Sequence, residues 1–141
     1  MIDIENKLRG IVLDAVKAEY PRFVLYDSYP DKSDTFPCGA FEMTDNRTYV
    51  ESQDTNLHEN HARIFIAIDI YSNKQNGRKT EAKKIAEIVD NTMQDYNFTR
   101  TMYRPTPNVD RSIWRITLRY EAVVAKPTTS GNTDTYKIFR R

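Results

Sequence analysis

The sequence holds few of the residues that build catalytic or metal centres. It has one cysteine, Cys38, so no internal disulfide can form, and Cys38 reads as a small buried hydrophobe. A reducing cytoplasm is the simplest compartment. The two histidines, His58 and His61, stand three apart in what reads as a polar loop, His58-Glu-Asn-His61. A zinc-protease helix needs them four apart, and a structural zinc site would have to recruit carboxylates, so no metal is expected. There is no glycine-rich phosphate loop. Gly77-Arg-Lys-Thr80 lacks the preceding glycines and reads as a turn entering a helix, whose amino end can attract an anion. Ser112 has no nearby histidine to activate it. Asp69 and Glu121 sit in strand patterns with no sign of the cleft and fixed separation that a glycosidase pair needs. No catalytic residue and no cofactor are expected.

Long hydrophobic runs are missing too. No stretch approaches the ~20 apolar residues of a membrane span. Met1-Ile-Asp-Ile-Glu-Asn6 lacks the basic and then apolar layout of a secretory signal, so neither membrane nor secretion is expected. Nor does one charge dominate. Lys and Arg number 21 against 20 Asp and Glu, a net charge of +1, whereas a protein that grips nucleic acid usually shows a basic excess. The end of the chain is locally basic at Lys137, Arg140 and Arg141, groups able to meet phosphate or a neighbour's carboxylate.

What is present is a chain of 141 residues, enough for one domain with a real core. Nine tyrosines and a tryptophan favour a protein-binding surface, because these rings are apolar at one end and hydrogen-bond at the other. The strongest pattern is Ser112 to Val124. Trp114, Ile116, Leu118, Tyr120, Ala122 and Val124 alternate with Ile113, Arg115, Thr117, Arg119, Glu121 and Val123. That period of two is a strand with one buried and one charged face. Its length predicts that part of it extends past the domain that buries it. Arg63 to Tyr71 is a second, central strand. Ile64, Ile66, Ile68 and Ile70 share one face, and Arg63, Phe65, Ala67, Asp69 and Tyr71 the other. The two strands are expected to be neighbours, with Asp69 in reach of Arg115 or Arg119.

Two amphipathic helices are predicted, 2–20 with the stripe Ile4, Leu8, Ile11, Val12, Ala15 and Val16, and 79–96 with Ala82, Ile85, Ala86, Val89 and Met93. Pro21 stops the first. Glu81, Lys84, Glu87 and Asp90 are assigned to the wet face of the second. Short strands are expected at 23–27 and 36–43. Thr44-Asp-Asn-Arg47 reads as a polar turn, 53–60 as a long loop, and 98–104 as extended. The result is an α+β single domain over 1–127, a mixed or antiparallel β-sheet with both helices packed on one face. Residues 128–141 form a tail that adds an edge strand here or on a partner. On the other sheet face Arg63, Arg115 and Arg119, with Phe65, Tyr71 and Thr117, suit a single nucleic-acid strand. Asp69 and Glu121 on the same face favour a subunit interface with alternating ion pairs.

The chain resembles the tail terminator (tail-completion, or minor tail) proteins of long-tailed bacteriophages. The resemblance covers nearly the whole sequence: its size, the opening helix with Pro21, the strand Ile64 to Tyr71 and the helix Thr80 to Tyr96. It is most specific over Phe98-Thr-Arg-Thr-Met-Tyr-Arg-Pro-Thr-Pro-Asn-Val-Asp-Arg-Ser-Ile-Trp-Arg-Ile-Thr-Leu-Arg-Tyr-Glu-Ala122. It implies a structural virion protein without an active site. Such a protein forms a hexameric ring on the major tail tube protein and stops polymerisation once the tape measure protein has set the length. It then joins the neck connector of the DNA-filled head. It would lie at the head-proximal end of the tail, after assembly in the host cytoplasm. Subunit contacts map onto Arg63, Asp69, Arg115, Arg119 and Glu121. Contacts with tube or head map onto Gln53, Asp54 and His58 in the long loop, and onto Tyr136, Ile138 and Phe139 in the tail. Genomic DNA passing through the lumen would meet Lys137, Arg140 and Arg141 weakly and without readout. A neck protein (stopper or adaptor) between portal and tail is the main alternative. A nucleic-acid-binding module and an enzyme acting on the tail or cell wall are the others.

Overall fold

A strand buried on one face and flanked on both edges organises this chain, and the alternating isoleucines supply it. In the computed structural model, which describes residues 1–28, 35–49, 61–125 and the backbone of 128–130, 133–135 and 138–139, β3 (His61–Ser72) lies between two long neighbours. These are β2 (Cys38–Thr48) and β5 (Trp114–Ala125), both antiparallel to it. β1 (Val24–Tyr26) pairs in parallel with the start of β2, and β4 (Thr99–Pro105) pairs antiparallel with β5. The sheet therefore runs β1-β2-β3-β5-β4. Helices α1 (Glu5–Lys17) and α2 (Arg78–Asp95) pack on one face of it, giving the expected single α+β domain with a mixed, mostly antiparallel sheet.

The core sits between that face and the helices. Ile64, Ile68 and Ile70 are fully buried and Ile66 nearly so, against Leu8, Val12 and Val16 of α1 and Ile85, Val89 and Met93 of α2. Register extends this apolar surface sideways. Ile116, Leu118, Tyr120 and Ala122 lie opposite Ile70, Ile68, Ile66 and Ile64, and Phe41 and Met43 lie opposite Ile68 and Ile66 on the other side. Cys38 is buried, as expected of a small hydrophobe. Gly39 is needed where β1, β2 and β3 meet. A Cβ there would lie 2.8 Å from the Asp69 carbonyl oxygen and 3.1 Å from the Phe23 ring.

α1 is shorter at both ends than periodicity predicts, whereas α2 matches its expected range to within one residue. α1 begins at Glu5, whose N–H is taken by Asp3 Oδ1 at 3.0 Å. Ile2 and Ile4 are buried but not helical, and the Ile2 carbonyl accepts a 2.6 Å bond from Asn46 Nδ2. The helix closes at Lys17, with Glu19 and Tyr20 bonding back to the Val16 carbonyl before Pro21. α2 enters from Gly77 at φ +91°, a left-handed conformation cheap only for glycine. Its far end is a Schellman turn with Asn97 (φ 64°) in the usual glycine position. Phe98 N–H bonds to the Met93 carbonyl, Asn97 N–H bonds to that of Gln94, and Phe98 is driven into the core.

Four other expectations are corrected. Thr44–Arg47 is not a turn: β2 runs straight through it, with a bulge between Met43 and Asp45. Its polar side chains stand on an accessible strand, where Arg47 bonds to Asp45 and covers Phe65. His61 is not in a loop but opens β3. The final strand does not outrun its domain. β3 matches it residue for residue from Ser72↔Trp114 to His61↔Ala125. Asp90 is half-buried rather than on the wet face of α2. One of its oxygens accepts Tyr120 Oη at 2.7 Å, and the other accepts Arg100 at 2.9 Å and Gln94 at 2.6 Å. In the tail, the backbones of β6 (Thr128–Ser130) and β7 (Thr133–Thr135) pair with each other, and β8 (Ile138–Phe139) adds to β5 at Val124 and Val123.

Burial, and then the bond to Asp90, push the Tyr120 phenol well above its ordinary value of 10.0. The folded state thus favours neutral Tyr120. That preference is fully expressed below about pH 10 and is lost as pH rises above it, because the unfolded chain ionises first. Tyr120→Phe should cost about 1–2 kcal/mol at neutral pH. It should also flatten the alkaline fall in stability measured by urea unfolding. A variant whose alkaline decline parallels the wild type would disprove this coupling.

Candidate functional site

The face of the sheet turned away from the helices carries His61, Arg63, Phe65, Ala67, Asp69 and Tyr71 from β3. Beside them stand Arg115, Thr117, Arg119, Glu121 and Val123 from β5. All five residues expected at a subunit interface, Arg63, Asp69, Arg115, Arg119 and Glu121, fall on this surface. The alternation of two long strands puts them there.

Asp69 organises the upper end. It accepts Arg115 Nε at 3.1 Å and the Thr117 hydroxyl on the same oxygen. The Thr117 proton is committed to Asp69, so the 2.6 Å contact between the Thr117 and Thr106 hydroxyls has Thr106 as donor. Thr106 N–H also bonds to the Arg115 carbonyl at 2.9 Å. This chain of bonds pins the β4–β5 connection onto the sheet. The expected reach of Asp69 to Arg115 is thus present. Arg119 lies opposite Ala67, exposed, and takes no part in it.

Arginines also lie over rings. Arg115 stands 5.5 Å from the Tyr71 centroid, Arg47 5.2 Å from Phe65, and Arg63 5.9 Å from Tyr49. Tyr49 meets the His61 ring edge-on at 6.4 Å. Arg47 is bridged to Asp45 at 2.6 Å, and that bond holds the exposed Asp45 carboxyl below its ordinary value. Arg63 and Glu121 are both half-buried, Arg63 opposite Val123 and Glu121 opposite Phe65. The surface is therefore charged, largely paired within itself, and stiffened by stacked guanidinium groups.

Asp45, Arg47 and Tyr49 are members of this face that sequence reasoning missed. The alternation of Asp45, Arg47 and Tyr49 was the available signal, hidden by the turn-like composition of Thr44–Arg47. Gln53, Asp54, His58, Tyr136, Lys137, Arg140 and Arg141 lie outside the described residues. Ile138 and Phe139 are described in backbone only, as β8. Among the described residues no group of His, Cys, Asp and Glu is arranged to hold a metal ion. No helix among them is long and apolar enough to cross a membrane. No family model and no curated protein matches the chain.

Asp69→Ala should release Arg115, Thr117 and the β4–β5 connection together. The expected loss is about 1–3 kcal/mol in denaturant unfolding, because two donors lose their shared acceptor. Hydrogen exchange should rise first in residues 105–113. A variant as stable as wild type, with unchanged exchange there, would show that Asp69 pins nothing.

Proposed function

We propose that this chain is a structural ring subunit of a phage tail, a tail terminator. Six copies cap the tail tube, stop its growth and offer the joining surface to the neck of the filled head. The observation that carries this reading is the second sheet face. It is too charged for a core, yet too ordered and aromatic for a merely solvated surface. A ring contact is heterologous, one patch meeting a different patch on the next copy, and paired charges fix its register and reject wrong partners. The resemblance over Phe98 to Ala122 supplies the particular assembly. DNA passes through the lumen without readout.

The same face argues against a single-strand binding platform. Bases would have to stack on Phe65 and Tyr71, and these rings already carry Arg47 and Arg115. Those arginines are in turn bonded to Asp45 and Asp69.

Arg119→Glu should leave the monomer folded, melting within a few degrees of wild type, and block ring closure. Mass measurement on assembled tails should give six copies; another count sinks the hexamer. Particles from a phage lacking the gene should show overlong or unfinished tails. Normal tails beside full, unjoined heads would move the chain to the neck. Duplexes of unrelated sequence should bind weakly and alike, with binding fading as salt rises. Strong preference among them would promote the nucleic-acid reading.

A further inference from the structure

The two lateral edges of the sheet are finished differently. On the β2 side, β1 covers Cys38–Ala40. Beyond it Asn46 holds the Ile2 carbonyl. On the other side, β4 pairs with β5 alone, and among the described residues no strand pairs with its outer edge. Arg100, Thr101, Tyr103, Arg104 and Pro105 are all exposed. A row of backbone N–H and C=O groups is therefore left to solvent, the usual template for an added strand.

A groove of about 500 Å³ runs beside this edge, between α2 and β4, with Lys83, Lys84, Glu87, Arg100 and Tyr103 in its lining. Tyr103 is 41% exposed, and the Arg100 guanidinium lies 5.9 Å from its ring. Asp90, also in the lining, is occupied by Tyr120, Arg100 and Gln94. On the opposite face Arg104 and Arg119 are exposed. Five cations thus bracket the edge, and Glu87 is the one carboxylate of the groove not engaged among the described residues.

A second β4 does not suit this edge, because an antiparallel pair centred on Met102 would gather Arg100 and Arg104 of both copies along one seam. A nucleic-acid strand would answer the cations but leave the row of amide groups unmet. We propose that the β4 edge and its groove receive an extended, carboxylate-bearing segment of another protein, added as a further strand. Side chains on one side of that strand drop toward Lys83, Lys84 and Arg100. Those on the other side meet Arg104 and Arg119. The arginines and the bulge between Arg100 and Met102 then deter self-pairing while favouring an acidic partner. This site shares Arg119 with the proposed ring contact, but it stands on the edge of the sheet and its test reads the groove lysines, so it does not depend on the ring reading.

The test uses the whole chain and the peptide Thr-Glu-Glu-Val-Glu-Glu-Thr, which presents glutamates on both faces of a strand. Its lysine-for-glutamate analogue and an oligothymidylate serve as comparisons. The glutamate peptide should bind, slow amide exchange within Thr99–Pro105, and bind at least about tenfold more weakly to the double variant Lys83→Glu/Lys84→Glu. That variant should melt with the wild type, since both lysines are exposed on α2. The proposal is overturned by no binding, by binding without protection of β4, by equal binding of the lysine peptide, or by oligothymidylate protecting β4 instead.

Discussion

The pairing of β3 with β5 is the constraint on which the other features rest. Side chains alternate with a period of two, so a slip of one residue would turn Ile64, Ile66, Ile68 and Ile70 away from the helices. It would also set Asp69 and Arg115 out of reach. Burying four isoleucines is worth roughly 1.5–3 kcal/mol each, which makes the correct register far deeper than its neighbours. The Asp69 bonds are smaller terms. They add specificity to a register that the apolar face has already chosen.

One consequence is that the charged face is ordered at little cost. Its members lie on strands held by the core behind them, so ordering Arg63 or Arg115 requires little further backbone entropy. Stacking of guanidinium groups on Phe65, Tyr49 and Tyr71 removes some side-chain freedom as well. A partner docking there would meet a surface with part of the cost of immobilisation already met.

The fold class, both helices, the two long strands and their adjacency were legible in the sequence, because each rests on a strong period maintained over many residues. The Asp69–Arg115 contact was legible for the same reason, since two charged faces on neighbouring strands must coincide. β2 was not. Thr44, Asp45, Asn46 and Arg47 have turn composition, and only their pairing with Phe65, Ile64 and Arg63 shows them to be strand. Asp90 was misplaced because helical position alone cannot reveal that Tyr120 and Arg100 approach it from two strands. The open edge of β4 was beyond sequence reasoning too, as strand order is a property of the assembled sheet.

The unequal edges give the molecule a valence. A sheet with two open edges can recruit its own kind without limit, and that is the route to fibres. Here Ile2, held by Asn46 of β2, finishes part of one side of the sheet, like a selvedge on cloth. On a second molecule that side is therefore not a bare counterpart of the β4 edge. The amino-terminal residues that look like a mere lead-in to α1 thus help to make the two sides of the sheet unlike.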